Sequence, residues 1–327
     1  MSTTLTVDSL VKEYPVGGGL FSRSKEVVHA VSDVSLTVAG GSTFGLVGES
    51  GCGKSSLGRS VAKLQSSTSG MIRLDDADIT RVHGTRLKAL RRRIQFVFQD
   101  PYASLNPRKS VRDTLAEPLR IHGLHRRNQS GRVLELLDMV GLNPAHADRY
   151  PHEFSGGQRQ RIGIARALAV QPEVIVLDEP VSALDVSVQA GVLNLLDDLQ
   201  RDLGLTYLFI AHDLSVVRHL SDRVGVMYLG KLIEEAPVDT LYEHPMHPYT
   251  QALLSAIPVP DPRIERARER IVLTGDVPSP VSPPSGCRFR TRCWKATDRC
   301  AAEVPELVDL GGGQRVACHY PAARDVL

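Results

Sequence analysis

The chain has 327 residues, with 39 lysines and arginines against 37 aspartates and glutamates, so its formal net charge is only +2. A charge this small argues against binding to nucleic acid or to an anionic membrane through bulk electrostatics. No stretch approaches roughly eighteen consecutive apolar residues and the N-terminus lacks a secretory signal, so we expect a protein of the cytosol that does not cross the bilayer.

Two strands are predicted at the start of the chain. Apolar and polar side chains alternate over residues 5–12 and 27–38, which is typical of antiparallel strands with one solvated face. The stretch Tyr14-Pro15-Val16-Gly17-Gly18-Gly19 predicts a flexible loop between them. An aromatic ring there can stack on a nucleobase, or it can simply pack at the strand end. The residues alone leave both roles open.

A glycine-rich turn follows the apolar strand predicted at 44–47. Residues 48–55 fit the pattern G-x-x-x-x-G-K-S/T, and a helix is predicted to start at about Lys54. The glycines let backbone N–H groups surround a phosphate, and the helix adds its positive end. Lys54 can reach the β- and γ-phosphates, and Ser55 is placed to ligate Mg²⁺. The stretch is therefore identified as a phosphate-binding loop.

Strands and helices continue to alternate as far as Gln99. We expect a helix over 54–64, a strand over 70–74, a basic helix over 85–93 and a strand over 94–98. Gln99 follows the last of these strands, where a neutral amide can coordinate Mg²⁺ or a water. The alternative is an ordinary turn residue.

A helical insertion interrupts this alternation. From Pro107 to Leu142 the spacing of apolar residues changes to about 3.6, which predicts amphipathic helices, and we place the insertion at about residues 100–170. Within it, Ser155-Gly156-Gly157-Gln158 precedes an arginine-rich helix. Ser155 is a natural N-cap, and the glycines offer N–H groups to an anion.

Two further buried strands end in polar side chains. The apolar run 174–177 ends in Asp178 and Glu179, as expected of a central parallel strand buried on both faces. Asp178 is suited to hold Mg²⁺, and Glu179 can accept a proton from an attacking water, unless both acids only cap the next turn. The strand at 207–211 ends at His212, which can hydrogen-bond a γ-phosphate or have an ordinary structural role.

In this arrangement the residues resemble the ATPase subunit of an ABC transporter, because six motifs occur in the order and approximate spacing of that family. The resemblance implies an α/β fold, with a RecA-like core, an antiparallel β subdomain and the helical insertion. It also implies hydrolysis of ATP to ADP and phosphate. The motifs are the Walker A loop 48–55, the Q-loop Gln99, the signature Ser155-Gly156-Gly157-Gln158, the Walker B acids Asp178 and Glu179, the D-loop Ser182-Ala183-Leu184-Asp185 and the switch His212.

The resemblance also implies a head-to-tail dimer, in which the Walker A loop of one subunit and the signature of the other enclose Mg-ATP. The implied catalytic residues are Glu179, His212, Lys54 and Gln99, and the implied Mg²⁺ ligands are Ser55, Gln99 and Asp178. The residues implied to bind ATP are Tyr14, Gly48, Glu49, Ser50, Gly51, Cys52, Gly53, Lys54, Ser55, Ser56, Ser155, Gly156, Gly157, Gln158 and Asp185.

Within the family, the stretches 99–108, 247–254, 275–280 and 283–287 are similar to the dipeptide and oligopeptide permease ATPases. This resemblance implies peptide import, with two transmembrane permease subunits, a second ATPase subunit that is identical or paralogous, and an extracytoplasmic peptide-binding protein. The chain would then lie on the cytoplasmic face of the membrane and bind no nucleic acid. A nickel-type importer ATPase and a soluble ABC ATPase without a transport role are the alternatives.

The last part of the chain differs in composition. Proline and charged residues increase from Pro258, so we expect a nucleotide-binding domain over 1–257 and a C-terminal part over 258–327. That part is predicted to begin with an extended linker over 258–286, followed by a cysteine-bearing extension. The extension contains Cys287, Cys293, Cys300 and Cys318, spaced C-x₅-C-x₆-C-x₁₇-C. This spacing matches neither the common zinc pattern nor the ferredoxin runs. The resemblance implies a 4Fe-4S cluster in some members, with zinc or unliganded thiols as the alternatives.

Overall fold

Two β-sheets organise the part of the chain that the computed structural model describes, namely residues 2–16, 26–258, 261–267, 270–324 and 326. The strands are β1 (Leu5–Val16), β2 (Glu26–Val38), β3 (Thr43–Val47), β4 (Ser69–Leu74), β5 (Ala77–Asp78), β6 (Ile94–Val97), β7 (Val174–Asp178), β8 (Thr206–Ile210), β9 (Arg223–Tyr228), β10 (Lys231–Pro237), β11 (Val308–Asp309) and β12 (Arg315–Val316). One sheet has the order β2-β1-β4-β5, and the other has the order β11-β12-β10-β9-β3-β8-β7-β6.

Helices connect these strands within the described residues. The α-helices are α1 (Lys54–Val61), α2 (Gly84–Arg93), α3 (Pro101–Ser104), α4 (Val111–His122), α5 (Gln129–Met139), α6 (Gly156–Leu168), α7 (Val186–Leu203), α8 (Leu214–Leu220), α9 (Val238–Glu243), α10 (Pro248–Ser255), α11 (Pro262–Ala267) and α12 (Asp298–Ala302), and 3₁₀ helices occupy Pro144–His146 and Pro151–Glu153. No helix of this described part is both long and apolar enough to cross a bilayer.

The four-stranded sheet is antiparallel, as the alternation of its first two strands predicts. Leu5 pairs with Val38 on β2 and with Leu74 on β4. The apolar side chains of one face, such as Leu5 and Leu36, are buried in the same cluster as Leu57 of α1. This packing holds the sheet against the helix that begins at the phosphate loop. The prediction of a loop over 14–19 is wrong for residues 14–16, which extend β1 because they pair with residues 26–28 of β2. Residues 17–19 lie outside the described residues.

The eight-stranded sheet contains a parallel core. Strands β9, β3, β8, β7 and β6 run in the same direction, and all residues of β3, β7 and β8 are buried. The prediction of buried central strands is therefore confirmed. Because the carboxyl ends of parallel strands meet at one edge, the residues that follow β3, β6, β7 and β8 lie near one another.

The predicted helical insertion is formed by α3 to α6. The apolar positions of α4, α5 and α6 belong to one buried cluster, as the 3.6-residue periodicity indicated. Ser110 accepts a hydrogen bond from the backbone N–H of Asp113 and so caps α4. The insertion is thus a packed helical unit, and α6 leads from it back to the core strand β7.

The C-terminal extension adds two strands to the main sheet, which the sequence analysis did not predict. In β12, Val316 pairs with Glu234 of β10 in antiparallel register. The Glu234 carboxylate is fully buried and accepts the N–H groups of Met246 at 2.7 Å and His247 at 3.0 Å, and the side-chain amide of Gln314 at 3.0 Å. Helix α11 lies within the segment predicted as an extended linker.

Candidate nucleotide site

The loop between β3 and α1 has a conformation that only glycine tolerates at two of its positions. Gly48 has φ 149° and Gly53 has φ 107°. A Cβ atom on Gly48 would lie 2.2 Å from the carbonyl oxygen of Met227, and one on Gly53 would lie 1.9 Å from that of Ala30. Helix α1 begins at Lys54 without a side-chain cap, so its first N–H groups are available to an anion.

Lys54 is folded back onto the loop that precedes it. Its side chain is buried, and Nζ donates hydrogen bonds to the carbonyl oxygens of Gly48 at 2.6 Å and Glu49 at 3.0 Å. Two main-chain oxygens therefore fix the ammonium group at the wall of the loop. From this position it borders the cavity in which the sequence predicts the phosphates.

Ser55 and Asp178 lie side by side although they are far apart in sequence. The Ser55 hydroxyl donates to Oδ1 of Asp178 at 2.7 Å. Burial raises the pKa of the Asp178 carboxyl, and the hydrogen bond from Ser55 acts in the opposite direction. A hydroxyl and a carboxylate in contact are oxygen donors of the kind that Mg²⁺ prefers. The pair thus fits the predicted magnesium site.

Glu179 brings two other predicted residues together. Its φ of 46° is left-handed, and its N–H donates to the carbonyl of Ile210 at 2.9 Å. Nε2 of Gln99 donates to Oε2 of Glu179 at 2.9 Å, and Nδ1 of His212 lies 3.1 Å from the same oxygen. Backbone strain of this kind is common at functional sites, where the surrounding structure maintains it. Three of the predicted catalytic residues therefore meet at one oxygen atom.

A cavity of about 540 Å³ collects most of the predicted residues. Tyr14 reaches it from the antiparallel sheet, and its hydroxyl donates to Oε1 of Gln65 at 2.7 Å. Tyr14 thus lines the cavity, and its hydroxyl also lies 3.3 Å from the Ser56 hydroxyl of α1. The cavity is lined by Tyr14, Val28, Ala30, Ser50, Gly51, Gly53, Lys54, Ser55, Ser56, Gln99, Glu179 and His212.

The signature residues lie elsewhere. Ser155 caps α6, since its hydroxyl accepts the N–H of Gln158 at 3.3 Å while Oε1 of Gln158 accepts the N–H of Ser155 at 3.0 Å. Of the predicted ATP-binding residues, Gly48, Glu49 and Cys52 belong to the phosphate loop but do not line the cavity formed by the described part of this chain. Ser155, Gly156, Gly157, Gln158 and Asp185 do not line it either. Their implied role concerns nucleotide held by a second subunit, and it stays a prediction.

Sequence reasoning missed two side chains that contact the loop. The hydroxyl of Tyr249 accepts the backbone N–H of Glu49 at 3.0 Å, and Nη1 of Arg292 lies 2.9 and 3.1 Å from the two oxygens of the Glu49 carboxylate. Tyr249 belongs to a stretch quoted for the peptide-permease resemblance, but no local pattern indicates what it contacts. Arg292 is 243 residues away from Glu49 and carries no sequence signal.

The thiols of the four cysteines in the extension interact electrostatically. Burial raises the pKa of the Cys287 thiol to about 11, and the charges of Cys300, Cys318 and Cys293 also raise it. Backbone N–H groups donate to Sγ of Cys293 and of Cys318, each at 3.4 Å. Across the described ranges, however, no group of three or more His, Cys, Asp or Glu side chains is placed to hold a metal ion. The geometry therefore does not support the cluster implied by the resemblance.

Comparison with protein families gives two matches on this chain. The family model described as ABC transporter matches residues 31–182, which include the phosphate loop, Gln99, the signature residues and Asp178 with Glu179. The model described as oligopeptide/dipeptide transporter, C-terminal region, matches residues 233–300. The second match begins in β10 and reaches Cys300, the third cysteine of the extension.

Individual proteins agree with the family models. The oligopeptide transport ATP-binding protein AppF of Bacillus subtilis is 54% identical over 319 residues, which are 97% of this chain and 97% of that protein. The dipeptide transport ATP-binding protein DppF of Haemophilus influenzae is 50% identical over 97% of this chain and 96% of its own length. An ATP-binding cassette solved as a dimer in a post-hydrolysis state, bound to ADP and Pi, is 29% identical with a TM-score of 0.64, covering 72% of this chain and 98% of that one.

The phosphate loop provides a first testable prediction. In a Gly53→Ala variant the new methyl group would collide with the carbonyl of Ala30, so we expect the loop to shift and ATP affinity to fall by at least about tenfold, the factor that corresponds to about 1.4 kcal/mol. Nucleotide titration by calorimetry would measure this.

Gly204→Ala is the matched control for that variant. Gly204 also has a positive φ, of 65°, but it lies at the end of α7 and a Cβ atom there meets nothing within 4 Å. The free energy of unfolding of the Gly204→Ala variant should therefore fall by about 1 kcal/mol, while its ATP affinity stays the same. Equal affinities of the Gly53 variant and the unmodified chain would show that the predicted collision does not control binding.

Proposed function

The chain belongs to the ATP-binding proteins of ABC transporters, in the oligopeptide and dipeptide group, and on this premise we propose that it hydrolyses ATP to drive the import of di- or oligopeptides. The observation that carries the proposal is the presence, on one chain, of a nucleotide cavity containing Lys54, Glu179 and His212 and of a C-terminal region of the oligopeptide/dipeptide type. Relatives named for peptide transport match nearly the whole chain.

The proposed binding of Mg-ATP uses the two walls of the cavity. Backbone N–H groups of the phosphate loop and of the start of α1 would surround the β-phosphate, and Lys54 would exchange its carbonyl partners for phosphate oxygens. Ser55, Asp178 and Gln99 would hold Mg²⁺, which neutralises charge on the phosphates when it is bound. Tyr14, on the edge of the cavity, would stack on the base.

Glu179 is the proposed acceptor of a proton from the attacking water. Both of its described side-chain contacts, with Gln99 and with His212, involve Oε2. Oε1 would then accept the hydrogen bond from the attacking water. Gln99 and His212 would thus orient the carboxylate, and His212 would also hold the γ-phosphate in position. The contribution of the protein is mainly positioning and charge stabilisation.

A second ATPase subunit, identical or paralogous, would complete the site. Ser155, Gly156, Gly157 and Gln158 have no nucleotide cavity of their own among the described residues, and the similar solved cassette is a dimer bound to ADP and Pi. We infer that these residues enclose the ATP of the partner subunit and that Asp185, at the start of α7, communicates between the two sites. Gln99 would connect Mg²⁺ to the permeases through the insertion formed by α3 to α6.

The complete importer would contain two transmembrane permease subunits and an extracytoplasmic peptide-binding protein, and this chain would lie at the cytoplasmic face of the membrane. The proposed domain limits are 1–257 and 258–327. The names of the relatives favour peptides over nickel as the imported substrate. The iron–sulfur cluster at Cys287, Cys293, Cys300 and Cys318, and zinc as its alternative, remain predictions from the resemblance.

Replacement of the proposed base tests the chemistry. Glu179→Gln removes the proton acceptor but keeps the side-chain shape, so we expect ATP to bind with wild-type affinity while steady-state hydrolysis falls by about 10²–10⁴-fold. Lys54→Ala should instead weaken binding itself, because it removes the ammonium group next to the phosphates. Wild-type turnover by the Glu179 variant would refute the proposed role.

Isolation of the chain with its neighbours tests the transport function. From gently solubilised membranes we expect it to co-purify with two polytopic permeases and a peptide-binding protein, identified by mass spectrometry. The same experiment shows whether the second ATPase subunit is identical or paralogous. Recovery with ribosomal or DNA-repair proteins and without a permease would leave the ATPase chemistry intact and overturn the import function.

The cysteine prediction has a separate test. If the four thiols bind a cluster, the purified protein should contain iron and sulfide, and Cys293→Ser should lose iron while its ATP affinity stays the same. Replacement of Cys52, the cysteine of the phosphate loop, is the control and should leave the iron content unchanged. Iron content that does not differ between wild type and the Cys293 variant, zero in both included, would eliminate Cys293 as a cluster ligand.

A further inference from the structure

Glu49, the second residue of the phosphate loop, is held through three different groups. Its N–H donates to the hydroxyl of Tyr249 at 3.0 Å, and its carbonyl accepts a hydrogen bond from Nζ of Lys54 at 3.0 Å. Its carboxylate forms the two-oxygen contact with Arg292. The N–H of Glu49 is therefore directed away from the cavity, and Glu49 connects the loop to the C-terminal part of the chain.

The contact between Arg292 and Glu49 is largely shielded from water. The Arg292 side chain is only 9% exposed and that of Glu49 is 28% exposed. Next to them, the rings of Tyr228, Tyr249 and Phe289 pack against each other with centroid distances of 4.8 to 5.4 Å. A charged hydrogen bond that water reaches poorly is stronger than a pair on the surface, and it is costly to break on one side only.

The segment that carries Arg292 is fixed to the nucleotide-binding part at other points. Arg288 donates to the carbonyl of Leu229 and, at 3.0 Å, to the hydroxyl of Ser32. The carbonyl of Pro280 accepts the N–H of His29 at 3.0 Å. The guanidinium of Arg292 is thus delivered to Glu49 by an anchored chain segment, so displacement of that segment would be transmitted to the loop.

We propose that Arg292 is a positioning residue for ATP binding, which acts through Glu49 on the conformation of the phosphate loop. The inference rests on the proposed function, because it assigns Arg292 to the same nucleotide site. Arg292 does not line the cavity and is not among the groups that meet at Glu179. Its loss should therefore change the binding of ATP and leave the chemical step nearly unchanged.

The test compares three variants of the full chain. Arg292→Gln removes the charge and the two-oxygen contact, so we expect the KM for ATP to rise by about three- to tenfold, with kcat within about twofold of wild type. Arg292→Lys keeps a positive charge but not the planar guanidinium, so its KM should lie between those of wild type and Arg292→Gln. Arg290→Gln is the matched control, since the Arg290 side chain contacts Ser285 within the extension, and its KM should equal that of wild type.

A double-variant comparison separates this role from general damage to the extension. Glu49→Gln alone should raise KM by about the same factor as Arg292→Gln, and the two changes together should raise it little further, because either one already breaks the same contact. Fully multiplicative effects, an unchanged KM in Arg292→Gln, or an equal rise in Arg290→Gln would each overturn the proposal.

Direct ATP titration distinguishes failure of this inference from failure of the proposed function. With hydrolysis blocked by Glu179→Gln, the Kd for ATP should rise by the same factor when Arg292→Gln is added. Absence of ATPase activity in the wild-type chain, assayed together with the second ATPase subunit that co-purifies with it, would reject the proposed reaction, and the change in Kd would still decide the role of Arg292. If Arg292→Gln does not fold, as judged by thermal unfolding, the Arg292→Lys variant decides it in the same titration.

Discussion

Strand β7 lies between β6 and β8 with all five of its residues buried, so its last side chain, Asp178, emerges at the edge of the sheet where β3 also ends. The hydrogen bond from Ser55 to Asp178 joins helix α1, which follows the loop after β3, to the end of β7. Strand β8 pairs in parallel with both β3 and β7, so the sheet fixes the distance between the loop after β3 and the residues after β7. The nucleotide cavity exists because of this pairing.

The same edge contains groups whose placement is costly. Burial raises the pKa of Asp178, and Glu179 adopts a left-handed conformation. Hydrogen bonds offset both effects, from Ser55 in the first case and from the Glu179 N–H to the carbonyl of Ile210 in the second. Polar and strained residues are tolerated at this point because the buried strands around them hold the backbone in place, which is how a site prepared for a charged ligand is built.

The sequence was sufficient where short patterns determine local structure. Alternation predicted β1 and β2, continuous apolar runs predicted β7 and β8, and glycine spacing predicted the loop around Lys54, since each pattern follows from the geometry of a few neighbouring residues. It was insufficient where the contact joins distant segments. Tyr249 and Arg292 are 200 and 243 residues away from Glu49, and no local pattern records which side chain a folded chain will bring to the loop. The strands of the extension were missed because each has only two residues.

Strand β10 would be an edge strand of the main sheet without the extension, and this explains why the extension is placed where it is. Without β12, one side of β10 would expose unpaired N–H and C=O groups, and the buried carboxylate of Glu234 would lose Gln314 as a partner. Covering this edge attaches the extension to the strand next to β9, which is itself paired with β3. The loop that follows β3 is therefore connected to the extension twice, through the sheet and through the contact between Arg292 and Glu49. Two independent connections restrict how far the extension can move without moving the loop, so the geometry of the nucleotide site is a property of the whole chain.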